Sequence, residues 1–164
     1  MTFLNNISFS LKPLQGFGAT TYILNTATNA DFDFVYNLKK VAYREYIEQT
    51  WGWDEDLQMK FHTENFSTEN TKIILVDDVA VGTVDVKEEE KRIFLSGLYL
   101  FPEYQNKGIG TAIIKDIEKK AKEAGKRLEL EVLHVNKRAQ KLYKRLGFTL
   151  IKGDDTKYLM YKEA

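Results

Sequence analysis

The chain contains no cysteine, and only two prolines and two histidines occur among its 164 residues. Without a thiol there can be no disulfide, no thiolate ligand to a metal and no cysteine nucleophile. His62 and His134 are far apart in sequence, and neither lies in a cluster of possible ligands. We therefore expect no metal site and no catalysis through a covalent cysteine intermediate.

Neither sign of charge is in excess, because 24 basic residues balance 24 acidic residues. A balanced chain gives no electrostatic argument for binding nucleic acid. No apolar run is long enough to span a bilayer, and the first residues lack the basic start and apolar core of a signal peptide. We expect a soluble, cytoplasmic protein that binds neither nucleic acid nor membranes.

The length suits a single domain over residues 1–164. We interpret residues 1–19 as an N-terminal extension with at most a short strand. Beyond them, alternating and 3.6-residue apolar patterns predict the order β-α-α-β-β-β-α-β-α-β-β. The predicted strands are 20–24, 73–76, 79–87, 93–100, 128–133, 148–151 and 158–162. Four helices are predicted. The first is capped by Asp31 or Asp33, and the second is capped by Asp54. The third follows a glycine-bearing loop and ends at Gly125, and the fourth covers about 137–146.

The most informative segment is that glycine-bearing loop. An apolar strand from Ile93 to Phe101 precedes the string Gln105-Asn106-Lys107-Gly108-Ile109-Gly110-Thr111, and helical periodicity follows. The first turn of a helix leaves backbone N–H groups without partners, and these donors together with the helix dipole form an anion site. Gly108 and Gly110 remove Cβ atoms that would hold a diphosphate away from the backbone. The loop therefore favours a phosphorylated cofactor, the alternative being an ordinary turn with glycines for clearance.

The glycine spacing excludes two common nucleotide motifs. There is no Gly-x-x-x-x-Gly-Lys-Ser/Thr string, and Ile113 stands where a dinucleotide fingerprint needs its third glycine. The string does resemble the Gln/Arg-x-x-Gly-x-Gly/Ala motif of the GNAT (Gcn5-related N-acetyltransferase) superfamily. The block from Leu130 to Phe148 resembles a second signature, Leu-x-Val-x-x-x-Asn-x-x-Ala-x-x-Leu-Tyr-x-x-x-Gly-Phe, at every fixed position. The resemblance covers roughly residues 70–162 and is weaker over 20–70.

This resemblance implies a fold and a co-substrate. The expected fold is mixed α/β, with a central, mostly antiparallel sheet in which two parallel strands splay apart, flanked by helices. Acetyl-coenzyme A would place its pantetheine arm between strands 93–100 and 128–133, where its amides satisfy unpaired backbone groups. The residues implied in binding it are Leu98, Tyr99, Leu100, Gln105, Asn106, Lys107, Gly108, Ile109, Gly110, Thr111, Asn136 and Tyr143. Asn136 also suits the N-cap of the last helix, and both roles are compatible.

Tyr143 is one expected catalytic residue. In the superfamily the matching tyrosine faces the thioester sulfur as a general acid; the alternative is a core tyrosine on the apolar face of its helix. Transfer of a proton from a phenol of pKa about 10 to the thiolate of a thiol of pKa about 8.5 is uphill by roughly 2 kcal/mol. We therefore expect the phenol to stabilise the thiolate by hydrogen bonding, with proton transfer completed late.

Glu131 is the other expected catalytic residue. It matches the Leu-Glu-Val string of the ribosomal-protein N-terminal acetyltransferase branch, whose glutamate acts as base; the alternative is a solvated carboxylate at a strand end. Because a lysine-like amine of pKa about 10.4 is far more basic than a carboxylate, a water relay or a raised pKa is required.

The acceptor-binding residues are expected at Trp51, Trp53, Asp54 and Glu55, since aromatic walls with carboxylates suit a cationic amine. The alternative is that the two tryptophans only pack the turn between two helices. The sequence thus predicts an acetyl-coenzyme A-dependent N-acetyltransferase that acts directly on a primary amine of a small molecule, peptide or protein, in a chain that could form a homodimer. The alternative from another class is a non-catalytic acetyl-coenzyme A-binding sensor module.

Overall fold

The computed structural model describes residues 7–9 and 21–163. The helices in this part of the chain are α1 (Phe32–Trp51), α2 (Glu55–Asn65), α3 (Ile109–Glu123) and α4 (Lys137–Arg145). The strands are β1 (Ile7–Phe9), β2 (Tyr22–Thr26), β3 (Thr71–Val76), β4 (Val79–Glu88), β5 (Arg92–Leu100), β6 (Arg127–Leu133), β7 (Thr149–Gly153) and β8 (Lys157–Lys162). Short 3-10 turns cover Asn29–Asp31 and Pro102–Tyr104.

The strands form one sheet in the order β1-β2-β3-β4-β5-β6-β8-β7. Neighbouring strands run antiparallel except β5 and β6. These two are parallel because α3 returns the chain to the end of the sheet at which β5 begins. α1 packs on β4 and β5, whereas α3 packs on β5 and β6. The predicted mixed, mostly antiparallel sheet flanked by helices is confirmed.

The main core lies between the sheet and α3. The apolar residues of α3 recur at helical spacing, so they form one buried stripe. That stripe is Ile109, Ala112, Ile113, Ile114, Ile117 and Ala121. It joins buried strand residues that include Tyr22, Ile74, Val81, Leu128 and Leu130 in one cluster. This continuous core holds β5 and β6 firmly beneath α3.

A smaller cluster of Ala27, Val35 and Ile73 lies under α1. Buried His62 of α2 joins the two N-terminal helices, with its Nε2 2.9 Å from the Phe32 carbonyl oxygen. Burial lowers the pKa of His62. The hydrogen bond between His62 and Phe32 fixes α2 against the start of α1.

The predicted order of elements is confirmed, and the structure adds β1. Asp77 and Asp78 have φ values of 50° and 61°, which is the left-handed pair that a tight two-residue turn between β3 and β4 requires. The extension predicted over 1–19 lies outside the described residues except for Ile7–Phe9. The single-domain prediction for 1–164 stays a prediction.

Several predicted strand boundaries were wrong by one or two residues. β2 ends at Thr26 and not at residue 24, because Thr26 still pairs with Lys72 of β3. β4 continues to Glu88, which pairs with Ile93, so the charged hairpin loop is shorter than predicted. Strand pairing, which local composition does not encode, sets these ends.

The predicted cap of the first helix was also wrong in detail. Asp31 occupies the N-cap position of α1, but its side chain makes no capping bond to that helix. Its carboxylate instead accepts a hydrogen bond of 2.7 Å from the Thr28 backbone N–H. The Asp31 side chain therefore stabilises the 3-10 turn before α1, and it does not cap α1 as the sequence predicts.

An ion cluster closes the N-terminal end of the β5–β6 pair. Glu129 of β6 is 1% exposed, and its Oε2 accepts a hydrogen bond of 2.5 Å from Arg92 of β5. Arg127 Nε lies 2.5 Å from the other oxygen, although that contact lacks the geometry of a hydrogen bond. Arg127 therefore acts on Glu129 through charge, and two guanidinium groups neutralise one buried carboxylate.

Glu129→Ala should lower the free energy of unfolding by about 2 kcal/mol, because it empties a buried site and removes the anion that Arg92 and Arg127 share, although Arg92 keeps its ion pair with Glu89. Urea denaturation measures this loss. Glu88→Ala is the matched control: its ion pair with Lys126 lies at the surface, so it should cost less than about 1 kcal/mol. Equal losses in the two variants would contradict the structural role of Glu129.

Candidate functional site

The two parallel strands pair over only four positions. Their register runs from Arg92↔Arg127 to Leu95↔Leu130, and no pairing follows. The register between β4 and β5 shifts at the same level, where Val86 pairs with Leu95 and Asp85 with Gly97, so Ser96 is an extra residue in β5. Such a bulge bends and twists its strand. It turns the last part of β5 away from β6 and opens a gap in the sheet.

A cleft of about 730 Å³ occupies this gap. Its walls come from α1, the ends of β5 and β6, the loop before α3, and α4. It contains most of the predicted co-substrate residues together with both predicted catalytic residues. These are Leu98, Tyr99, Leu100, Gln105, Asn106, Gly108, Ile109, Gly110, Thr111, Glu131, Asn136 and Tyr143. The predicted Lys107 does not line the cleft: it is exposed, with its Nζ 5.5 Å from the centre of the Tyr104 ring.

The N-terminus of α3 opens onto the cleft without a side-chain cap. Asn106 and Gly108 have φ values of 60° and 81°, so the loop makes a left-handed turn just before the helix. A Cβ atom on Gly110 would come no closer than 3.5 Å to a protein atom, which is ordinary contact. The protein's own packing therefore does not require glycine at 110, and the bare backbone leaves room for an anion at the helix N-terminus.

Arg138 ties the loop to α4, and the sequence analysis did not identify it. Its guanidinium donates hydrogen bonds of 2.7 Å to Gln105 Oε1 and 2.6 Å to Asn106 Oδ1. Gln105 in turn donates to the Leu100 carbonyl at 2.9 Å. A planar guanidinium can hold two side chains at once, which a lysine cannot do in the same geometry. Gln105 is therefore held both to the end of β5 and to α4.

Tyr143 lies on the cleft wall between α4 and the core. Within residues 21–163 its hydroxyl has no hydrogen-bond partner, and its ring packs 5.7 Å from that of Phe148. Burial raises the pKa of Tyr143 to about 12. The phenol is therefore neutral at physiological pH and free to donate a hydrogen bond to a group in the cleft.

Glu131 is the first residue of β6 beyond the parallel pairing, so its side chain stands at the opening of the gap. It is exposed, and its Oε2 accepts a hydrogen bond of 3.1 Å from Lys157 of β8. The two predicted catalytic residues thus face the same cleft from different elements, β6 and α4.

Asn136 is the N-cap of α4, as predicted. Its Oδ1 accepts a hydrogen bond of 3.0 Å from the Ala139 backbone N–H. The side chain also borders the cleft, so its amide nitrogen is available to a bound molecule. Both roles considered for this residue are geometrically compatible.

The four predicted acceptor residues lie at the corner between α1 and α2, outside the cleft lining. Asp54 caps α2 by accepting a 2.9 Å hydrogen bond from Leu57 N–H. Glu55 accepts hydrogen bonds from Tyr36, Lys40 and Trp53, which together lower the pKa of Glu55 to about 2, with Lys40 contributing most.

Of the two tryptophans at this corner, Trp53 contacts another side chain and Trp51 is exposed to solvent. The ring of Trp53 stacks 5.1 Å from the Arg44 guanidinium, and Trp51 is 55% exposed at the end of α1. The corner residues thus bind mainly one another, and their role in acceptor binding stays a prediction.

No group of three or more potential metal ligands occurs among the described residues. In the same part of the chain no helix has the length and apolar character needed to cross a membrane.

The chain belongs to the acetyltransferase (GNAT) family, whose profile matches residues 32–148. The predicted superfamily is therefore confirmed. The match includes both motifs and the cleft residues on α1, β5, β6, α3 and α4.

Two proteins of similar sequence are named as N-acetyltransferases. An uncharacterized N-acetyltransferase of Methanocaldococcus jannaschii is 32% identical over 137 residues, which cover 78% of this chain and 61% of the relative. Thialysine N-epsilon-acetyltransferase of Bos taurus is 47% identical over 58 residues, covering 35% of this chain and 34% of the bovine protein. The matched regions thus span between a third and three-fifths of these relatives' lengths.

A solved structure shows the same fold. PaiA N-acetyltransferase of Thermoplasma acidophilum, crystallised in complex with coenzyme A, superposes with a TM-score of 0.72 over 87% of this chain and 99% of that one. Its sequence identity of 19% makes this a likeness of fold alone.

Arg138→Ala and Arg138→Lys should both weaken coenzyme A binding about tenfold, because neither side chain can hold Gln105 and Asn106 together. Isothermal titration calorimetry measures the affinity. Lys144→Ala, on the same helix but outside the cleft lining, should leave affinity unchanged. Full retention of affinity by Arg138→Lys would show that charge, and not the two-pronged link to the loop, is what matters.

Proposed function

We propose that this chain is an acetyl-coenzyme A-dependent N-acetyltransferase that transfers the acetyl group directly to a primary amine. One observation carries the proposal: β5 and β6 separate after Leu95 and Leu130, and the gap opens onto both the N-terminus of α3 and Tyr143. The names of the relatives and the coenzyme A bound by the Thermoplasma structure support the same assignment.

The cleft fits the donor molecule chemically. Backbone groups of Leu98, Tyr99 and Leu100 lie where β5 has lost its partner β6, so they can pair with the amides of a pantetheine arm. The backbone amides of the loop and of the first turn of α3 can hold a pyrophosphate. Asn136 adds a side-chain amide beside the same path. Lys107, outside the lining, can meet the phosphates only from the solvent side.

Glu131 is proposed as the base. Its carboxylate stands at the open side of the gap, where one oxygen binds Lys157 and the other has no protein partner in the described chain. An alkylammonium of pKa about 10.4 must lose a proton before it attacks the thioester, and a carboxylate achieves this best through an intervening water. Glu131 can therefore hold the ammonium and pass its proton to water.

Tyr143 is proposed to stabilise the leaving sulfur. With its pKa raised to about 12, direct proton transfer to the thiolate of a thiol of pKa about 8.5 is uphill by about 5 kcal/mol, from roughly 3.5 pKa units at 1.36 kcal/mol each. The phenol therefore acts as a hydrogen-bond donor to the developing charge. In the net reaction the proton lost by the amine balances the proton gained by the thiol. Direct transfer needs no acyl-enzyme, which agrees with a chain that has no cysteine.

Tyr143→Phe should lower the rate of amine-dependent thiol release from acetyl-coenzyme A at least about tenfold, because it removes a donor aimed at the sulfur. Coenzyme A affinity, measured by calorimetry, should change less than about threefold. Phe148→Leu removes the neighbouring ring without touching the hydroxyl and controls for packing. Coenzyme A binding without thiol release for any amine or peptide in wild type would favour the sensor module instead.

Glu131→Gln should lower kcat/KM for the amine at neutral pH, and the deficit should shrink as pH approaches the amine's own pKa of about 10, where the amine no longer needs a base. Lys157→Ala is the matched control, since it breaks the same ion pair but keeps the carboxylate. A pH-independent deficit, or an equal loss in Lys157→Ala, would assign Glu131 a structural role.

A further inference from the structure

Three tyrosines that the sequence analysis did not assign to an acceptor site meet on the α1 side of the gap. Tyr43 and Tyr46 of α1 have ring centres 5.5 Å apart. The ring of Tyr43 also meets that of Tyr99 of β5 at 5.4 Å, edge to face. All three residues line the cleft together with Glu131. They form a continuous aromatic wall that ends at a carboxylate.

Gly97 positions the ring of Tyr99. Residues 97 and 99 point to the same face of β5, because side chains alternate along a strand. A Cβ atom on Gly97 would lie 2.5 Å from Cε2 and 3.0 Å from the hydroxyl of Tyr99. Any side chain at 97 would therefore displace this ring. The glycine is needed for the ring to lie flat against the strand, toward α1.

One face of Tyr99 already contacts an ammonium group. Lys39 Nζ lies 5.3 Å from the centre of the Tyr99 ring, and Asp85 neutralises its charge at 3.0 Å. Lys39 therefore takes one face of this ring, so a second cation would meet the aromatic wall mainly at Tyr43 and Tyr46. Since Asp85 compensates Lys39, the lysine does not make the cleft electropositive at this end.

The phenol hydroxyls are a second feature of this wall. Within residues 21–163 the hydroxyls of Tyr43, Tyr46 and Tyr99 make no hydrogen bond. Burial is the main cause that raises the pKa values of Tyr43 and Tyr99, and the nearby Tyr143 raises both further. These two hydroxyls therefore stay neutral, and a half-buried phenol usually has a hydrogen-bond partner. A molecule in the cleft would supply it.

We propose that Tyr43, Tyr46 and Tyr99 form the acceptor pocket and bind the acceptor as a primary ammonium ion on an aliphatic chain, with Glu131 as its anionic side. This inference rests on the proposed function and names the acceptor class of the same site. The rings cover the methylene chain and attract the cation, while Glu131 orients the nitrogen toward the gap. The corner at Trp53 and Glu55 is a weaker candidate, because its hydrogen bonds are already taken within the protein.

The kinetic test uses n-butylamine as acceptor and compares the loss of a ring with the loss of a hydroxyl. Tyr43→Leu should raise KM for butylamine at least about tenfold, whereas Tyr43→Phe, which keeps the ring, should raise it less than about threefold. KM for acetyl-coenzyme A should not change in either variant. Gly97→Ala should resemble Tyr43→Leu, because it pushes Tyr99 out of place. Phe61→Leu, a surface aromatic of α2 that is 58% exposed, is the matched control.

A binding test on wild type does not depend on turnover or on the folding of a variant. With coenzyme A bound, n-butylammonium should shift the NMR signals of the Tyr43, Tyr46 and Tyr99 rings saturably, and n-butanol should not. Peptides that carry their only amine on a lysine side chain or at the N-terminus then distinguish a free amine from a protein-borne source of the same group.

Each outcome separates the two proposals. Absence of ring shifts, or an unchanged butylamine KM in Tyr43→Leu, overturns the acceptor pocket while thiol release in wild type still supports the transferase. Saturable ring shifts without thiol release for any acceptor support the pocket and overturn the transferase.

Discussion

The limited pairing of β5 with β6 is the constraint on which the site depends. Backbone amides and carbonyls that lose a strand partner must find another, since an unpaired buried group is costly. Here the pairing ends at Leu95 and Leu130, the bulge at Ser96 turns β5 outward, and the ion cluster at Glu129 keeps the opposite end closed. The cleft is therefore a property of the sheet, held open by strand geometry and not by a loop.

α4 and its N-cap residue carry three roles. Asn136 caps the helix at the cleft, Arg138 binds the glycine-bearing loop two residues later, and Tyr143 faces the cleft near the other end. Because a helix is rigid over this length, the distance from the anion site to the phenol is set by one element. A shift of α4 would move the loop and the hydrogen-bond donor together.

The residues of the proposed donor half lie together in the cleft as the sequence predicts, whereas the rings of the proposed acceptor half could not be predicted from the sequence. An anion held by backbone amides requires glycine at fixed positions, so Gly108 and Gly110 mark the site in the sequence itself. Tyr43 and Tyr46 carry no such mark, because aromatic residues on an amphipathic helix are typical of packing. Only the fold brings them to Tyr99.

Gly97 did carry a signal that the sequence analysis left unused, since a glycine inside an apolar strand predicts close approach of another group. Trp53 and Glu55 show the opposite case, in which composition alone suggests a binding site. Their composition suits an amine, but neighbouring side chains already occupy their hydrogen-bonding groups and the face of Trp53, which composition cannot reveal.

The division of the cleft between elements has a consequence for how such a chain diversifies. The proposed thioester side consists of β5, β6, α3 and α4, and two of the three rings of the opposite wall belong to α1. Under the proposed assignment, substitutions confined to α1 would change the amine that is accepted and leave the residues proposed to bind the thioester unchanged. Substrate range and catalysis would then depend on separate segments of the same fold.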